Sequence, residues 1–205
     1  MTASDTETPG TIQRIVSATA RGLALAGGLC ILAIVVMTVA EVISRRVTGR
    51  SLGPVDELSS YLFAAGIALS LAWVLENRAH IRIDILYARL PGALRIVLDI
   101  LSLLSLTGFA AILLARGWQV FAISWSSGSR SASTLGVPLV LPQGVWLAGI
   151  AIFLAVLLYY CTAAGLALLR RNPGWIVRHL SPPNVDEVVA EETRDLPKHG
   201  AGGGQ

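Results

Sequence analysis

Charged side chains are scarce in this sequence: Asp, Glu, Lys and Arg make up 14% of its 205 residues, whereas hydrophobic residues make up 54%. A soluble domain of this length usually carries about 25% charged residues. The deficit is concentrated in long apolar runs, which predicts an integral membrane protein. The net charge of +3 is small and no Lys/Arg tract with interleaved aromatic residues is present, so nucleic acid is not an expected partner.

The residues and motifs of catalysis and redox chemistry are also missing. The two cysteines, Cys30 and Cys161, lie inside apolar runs and form no CxxC pair, which predicts inert buried thiols. The three histidines lie outside the apolar runs, where they could not ligate a haem in the membrane. No HExxH, Walker A or GxSxG motif occurs. We therefore expect no enzyme activity, no cofactor, and no catalytic, metal-binding or substrate-binding residues.

Four apolar runs have the length of about 20 residues that a helix needs to cross the hydrocarbon core. The first run could be mistaken for a signal peptide. Asp5 and Glu7 precede it, however, and no small-residue cleavage pattern follows before Glu41, so we expect a retained span. The runs predict an all-α integral membrane protein with four transmembrane helices, over residues 23–43, 58–75, 96–115 (continuing to about 123) and 145–169.

The arginines and lysines predict the orientation of these helices. The N-terminal tail, the second loop and the C-terminal tail together carry eleven Lys and Arg residues, whereas the first loop and the segment from Arg116 to the third loop carry five. The positive-inside rule therefore places the N and C termini and the second loop in the cytoplasm. The predicted membrane domain covers residues 21–171, between an N-terminal tail (1–20) and a polar C-terminal tail (172–205) that is expected to be disordered.

The second loop contains an amphipathic stretch between the second and third helices. Polar and apolar residues alternate over residues 78–85, which is typical of a strand, but an isolated strand would have no partner here. We favour a short interfacial helix whose arginines contact anionic headgroups and which ends at Pro91.

Ionisable residues occur only near the ends of the predicted spans. Glu41 precedes Arg45 by four residues and Asp99 follows Arg95 by four, so each is expected to form an i,i+4 pair. A transporter that carries substrate by itself usually has polar or broken helices at the midplane. This sequence has no such interruption and no internal repeat, so we expect no transport site within the chain itself.

Small residues provide packing surfaces on the predicted helices. Ala64, Ala68 and Ala72 recur every four residues in the second span, a spacing that lets helices approach closely. They would pack the chain against itself or against another subunit, and composition does not distinguish the two.

The first loop places Arg45, Arg46 and Arg50 on the side that the positive-inside rule disfavours. Pairing with Glu41 or with the acidic residues at 56 and 57 would explain them, and so would docking of an acidic partner from outside. The third loop, residues 127–146, has few charges and contains Pro138 and Pro142, which indicates a re-entrant or interfacial turn.

Read in order, several short motifs resemble the DctQ-like family, the small membrane subunit of tripartite ATP-independent periplasmic (TRAP) transporters. The resemblance covers residues 20–170 and all four spans. It is carried by Glu57-Leu58-Ser59, Tyr61-Leu62, Ala72-Trp73, His80-Ile81-Arg82-Ile83-Asp84, Leu90-Pro91, Asp99, Ser131, Thr134-Leu135-Gly136-Val137-Pro138, Pro142-Gln143 and Trp146.

The resemblance implies a bacterial inner-membrane protein that pairs with a larger permease subunit and with a periplasmic substrate-binding protein. It implies import of organic acids or related solutes driven by an ion gradient. Arg45 and Arg46 match the basic end of the family's first span, and with Glu57 they are the candidate partner contacts. His80, Arg82, Asp84, Asp99, Pro138 and Pro142 are expected to hold the loops in shape. The alternative is a free-standing four-helix scaffold or anchor, from which no larger permease would co-purify.

Overall fold

The computed structural model describes residues 11–77, 91–133 and 135–169, and these form four helices. Helix α1 covers Thr11–Thr48, α2 covers Val55–Glu76, α3 covers Gly92–Ser127 and α4 covers Val140–Leu169. All four are long and apolar enough to cross a membrane. The predicted all-helical architecture with four candidate spans is therefore confirmed.

Each helix extends beyond the apolar run that predicted it. The 38 residues of α1 and the 36 of α3 correspond to lengths of about 57 and 54 Å, well above the roughly 30 Å of a hydrocarbon core. The 22 residues of α2 correspond to about 33 Å, close to that thickness. Hydropathy locates the segment that matches lipid, whereas the helix itself continues until glycine, proline or a turn ends it.

The helices pack in the order α1–α2–α4–α3, because the extensive contacts join α1 to α2, α2 to α4, and α4 to α3. Both connecting loops, residues 49–54 and 128–139, lie at one end of the bundle, which we call the paired-loop end. The opposite end, where α1 and α3 begin and α2 and α4 end, we call the terminal end. Helices α2 and α4 are central, and α1 and α3 lie at the flanks.

Each of the three helix pairs has a glycine that lies tightly against the neighbouring helix. A Cβ added to Gly27 of α1 would lie 2.7 Å from the Gly66 carbonyl oxygen of α2, and one added to Gly149 of α4 would lie 2.8 Å from the Ala68 carbonyl carbon. A Cβ on Gly117 of α3 would lie 2.6 Å from the Trp146 ring of α4. At Gly27 and Gly149 the two backbones come together because no side chain separates them, whereas at Gly117 the missing side chain makes room for the Trp146 ring.

Burial is concentrated on the two central helices. Leu157 and Ile150 of α4 and Ala68 and Ala72 of α2 are at most 2% exposed. Within the most apolar segment of each helix, 33% of the residues of α4 are buried, compared with only 6% of the residues of α1. The outward faces of α1 and α3 therefore present large aliphatic and aromatic side chains, which require lipid or another protein to cover them.

The loop between α3 and α4 is closed by backbone hydrogen bonds. Gly128 ends α3 in the left-handed region, with φ of 60°, where glycine has no steric penalty. The Leu139 amide then donates to the Ser129 carbonyl at 3.1 Å, and an isolated antiparallel bridge joins Arg130 to Pro138. The loop is a folded hairpin-like turn, and the prediction of a re-entrant or interfacial position stays a prediction.

Several predicted features lie outside the described residues. They are residues 1–10 of the N-terminal tail, the amphipathic segment after Asn77, with His80, Arg82 and Asp84, and the C-terminal tail, residues 172–205.

Candidate functional site

The first candidate site is the α1–α2 connection, which is organised by Glu41. This residue is only 7% exposed. Its Oε1 accepts hydrogen bonds from Arg45 Nε and Ser51 Oγ, both at 2.5 Å, and its Oε2 accepts one from the Leu52 amide at 2.7 Å. The pairing of Glu41 with Arg45, expected from their spacing, is confirmed. The carboxylate thus joins the last turns of α1 to the loop that follows.

Short polar contacts complete this connection. The Ser44 hydroxyl donates to the Arg50 carbonyl at 3.1 Å, and the Arg50 amide donates to the Thr48 hydroxyl at 3.3 Å. The Ser51 hydroxyl accepts from the Gly53 amide at 3.0 Å. Because the backbone of residues 49–54 is held in this way, the Arg50 side chain starts from a defined position, as Arg45 and Arg46 do from the last turn of α1.

The three arginines of this region differ in their engagement. The Arg45 side chain is bound to Glu41 yet 60% exposed. Arg46 and Arg50 are exposed, and their guanidinium groups make no hydrogen bond or ion pair with any described residue. Two unpaired cationic groups are therefore exposed at the α1–α2 connection, Arg46 in the last turn of α1 and Arg50 in the loop that follows, and guanidinium groups are suited to pairing with carboxylates.

Glu57, at the start of α2, lies next to the second loop of the paired-loop end. Its Oε1 accepts a hydrogen bond from the Tyr61 hydroxyl at 2.6 Å. The Ser131 and Ser133 hydroxyls of the α3–α4 loop are close to the same carboxylate, but they lack hydrogen-bond geometry, and Oε2 is enclosed without a hydrogen-bond partner. Glu57 is thus half-buried between the two loops, where it can influence their relative position.

The remaining predicted residues are placed as follows. Ala68 and Ala72 are 1% exposed inside the chain's own bundle, and Ala64 is half-buried. Asp99 is 1% exposed within α3. Pro138 and Pro142 lie on either side of the start of α4, where the Pro138 carbonyl accepts from the Leu141 amide at 3.1 Å. The predicted residues that the structure describes are therefore spread over different parts of the bundle and form no single pocket.

Sequence reasoning missed the contacts that Glu41 makes beyond Arg45. Ser51 and the Leu52 amide reach Glu41 only because the loop after α1 folds back onto the end of that helix. In the sequence, a serine in a short connection was the only sign of such a contact. It also missed a contact at the terminal end, where the Ser17 hydroxyl of α1 donates to Glu76 Oε1 of α2. No periodicity relates two residues that far apart in sequence.

Metal ligands are not clustered in the part of the chain that the structure describes. No group of three or more His, Cys, Asp or Glu side chains is close enough there to hold an ion. Both cysteines are free thiols in half-buried positions, and the Sγ of Cys161 lies 3.3 Å from the Thr107 hydroxyl.

Comparison with known proteins identifies the family. The sequence model of the DctQ component of the tripartite ATP-independent periplasmic transporters matches residues 34–167, which include the whole of α2 and α3 and most of α4. No curated protein and no solved structure matched the chain. The match covers well over half of the sequence and agrees with four candidate spans. The chain therefore belongs to the DctQ family, as the small, non-enzymatic, inner-membrane component of a TRAP transporter.

Proposed function

We propose that this subunit supports a larger permease in the membrane and that its paired-loop end helps to dock a periplasmic substrate-binding protein. The transporter would import organic acids or related solutes with an ion gradient. Membership of a tripartite family supports the existence of further components. The observation that carries the docking proposal is the pair of exposed arginines without a described partner at the α1–α2 connection, Arg46 in the last turn of α1 and Arg50 in the loop after it.

The proposed orientation places the N and C termini in the cytoplasm and the paired-loop end in the periplasm. It rests on the distribution of Lys and Arg, because the terminal end and the segments attached to it hold eleven of these residues and the other side holds five. The segment between α2 and α3 would then lie in the cytoplasmic interface as a short amphipathic helix. Cysteine labelling from either side of the membrane tests this orientation.

Arg46 is the proposed principal contact, and Arg45 has a second role. Arg45 is bound to the buried carboxylate of Glu41, which also binds the loop after α1. The main role of Arg45 is therefore to stabilise the conformation of that loop. Arg46 has no such partner among the described residues and can pair with a carboxylate of a docking protein without breaking an internal bond. Charges of this kind at the edge of an interface act mainly on the association rate and its dependence on salt.

Glu57 is proposed to fix the position of the α3–α4 loop relative to the α1–α2 loop. It touches Tyr61 within α2 and lies beside two serines of the α3–α4 loop. A docking surface built from both loops needs such a connection, because two independently moving loops would lose more conformational entropy on binding. Asp99, Pro138 and Pro142 remain candidates for local shape, as do the three residues of the amphipathic segment, His80, Arg82 and Asp84.

The test compares Arg46→Glu with Arg14→Glu in the assembled transporter. Arg14 is exposed at the terminal end of the same helix, so its reversal controls for the change in net charge. We expect Arg46→Glu to slow association with the binding protein several-fold at low salt and to reduce uptake, with co-purification of the large permease retained. Arg14→Glu should leave association unchanged.

Two results would contradict the proposal. Unchanged association and uptake in Arg46→Glu, at normal protein levels, would exclude docking through this residue. Purification of the wild-type chain without any larger membrane protein, in a mild detergent that keeps it monodisperse, would instead favour the free-standing scaffold.

A further inference from the structure

A small pocket lined by both charged and apolar side chains lies at the terminal end, between the first turns of α1 and the last turn of α2. It has a volume of about 370 Å³ and is distant from the loops discussed above. We call it the terminal pocket. Its lining consists of Ser17, Ala18, Arg21, Trp73, Glu76 and Asn77.

The length of α2 places this pocket at the edge of the hydrocarbon core. Helix α2 ends at Glu76 after 22 residues, which is about the length needed to cross the apolar layer once. Glu76 therefore lies at the level where hydrocarbon meets headgroups. Trp73 precedes it by one turn, and the indole ring is a side chain that favours this boundary.

Two opposite charges line the terminal pocket without forming an ion pair with each other. Arg21 is exposed on α1, and Glu76 is half-buried on α2. The Ser17 hydroxyl donates to Glu76 Oε1, whereas Oε2 is enclosed and has no hydrogen-bond partner. An enclosed carboxylate oxygen without a donor is costly, so a cationic donor that enters the pocket gains by pairing with it.

Apolar surface continues from the pocket toward the middle of the bilayer. Leu25 and Leu29 follow Arg21 at intervals of four residues on α1, and each is 66% exposed. Because residues four apart lie on the same face of a helix, these leucines extend from the arginine as an apolar strip. The charged pocket and this strip have the layout of a headgroup with its acyl chains.

We propose that the terminal pocket binds the headgroup of a zwitterionic aminophospholipid. Arg21 would hold the phosphate through charge-assisted hydrogen bonds, and the Glu76 carboxylate, after rotation of its last torsion, would accept the primary ammonium group. The acyl chains would lie along Leu25 and Leu29. A lipid bound there would stabilise the contact between α1 and α2 at the terminal end, opposite the paired-loop end.

The experiment measures lipid binding by native mass spectrometry and thermal shift on the purified full chain. The probes are phosphatidylethanolamine, phosphatidylglycerol and free phosphoethanolamine, each added to delipidated protein. Arg21→Gln and Glu76→Gln are the test variants, both of which keep a polar side chain of similar length. Arg14→Gln is the matched control, since Arg14 is an exposed arginine of the same helix outside the pocket.

Wild-type protein should bind phosphatidylethanolamine about tenfold more tightly than phosphatidylglycerol, as one added charge-assisted hydrogen bond predicts. Glu76→Gln should abolish this preference, Arg21→Gln should weaken both lipids, and Arg14→Gln should match wild type. Equal binding of the two lipids by wild type, or a preference that survives in Glu76→Gln, would overturn the proposal. Equally tight binding of free phosphoethanolamine would overturn the assignment to a lipid.

Discussion

Replacement of Gly149 by alanine should separate the two central helices. A Cβ at this position would lie 2.8 Å from the carbonyl carbon and the Cβ of Ala68, and 2.9 Å from its carbonyl oxygen. Carbon atoms pack best at about 3.5–4.0 Å, so α2 and α4 would have to move apart by roughly 1 Å. Part of the obstacle is the backbone of α2, and no side-chain rotation relieves it.

The expected cost follows from two opposing effects. Overpacking of a close interface typically costs about 1–3 kcal/mol. Alanine also favours the helix over glycine by about 1 kcal/mol, which offsets part of that loss. The free energy of unfolding of Gly149→Ala should therefore fall by up to about 2 kcal/mol. Gly165→Ala on the same helix is the control, because a Cβ there meets nothing within 4 Å.

The assay is thermal unfolding of both variants in one detergent, followed by circular dichroism. Since 1 kcal/mol corresponds to roughly 2–4 °C for a chain of this size, Gly149→Ala should melt several degrees below Gly165→Ala. Gly165→Ala itself should melt at or slightly above the wild-type temperature. Equal melting temperatures for the two variants would refute the close contact of α2 with α4 at Gly149.

Three further outcomes are expected. Gly117→Ala should destabilise the chain less than Gly149→Ala in the same melt, because its obstacle, the Trp146 ring, can rotate aside; a larger loss would contradict this. Glu41→Ala should speed proteolytic cleavage within residues 49–54, since Ser51 and the Leu52 amide lose their acceptor; an unchanged digestion rate would show that the carboxylate does not order the loop. Ala132→Cys places a thiol at an exposed position of the α3–α4 loop. This thiol should react with a membrane-impermeant maleimide in intact spheroplasts, and labelling only after lysis would reverse the proposed orientation.

Several small residues of the chain are used in packing its own helices against each other. The contact between α2 and α4 buries Ala68, Ala72 and Gly149, so these residues cannot contact a partner subunit. The surfaces that remain are the outward faces of α1 and α3, which are covered with exposed aliphatic and aromatic side chains. A supporting role beside another membrane component agrees with this division.

The number, type and approximate position of the helices followed from the sequence alone. Runs of about 20 apolar residues can satisfy their backbone in lipid only as helices, so composition and length determine the architecture almost without alternatives. The Glu41–Arg45 pair was equally predictable, because four residues of a helix bring two side chains together wherever the helix lies.

Only the tertiary structure decided which helices touch and what the loops do. Hydropathy does not distinguish the packed faces of these apolar helices from the faces exposed to lipid, so it contains no information about the order α1–α2–α4–α3. The contacts of Glu41 with Ser51, of Glu57 with the α3–α4 loop, and of Ser17 with Glu76 join residues that are distant along the chain. Such contacts depend on where the backbones come to rest, and that is determined by the packing of Gly27, Gly117 and Gly149 against their neighbours.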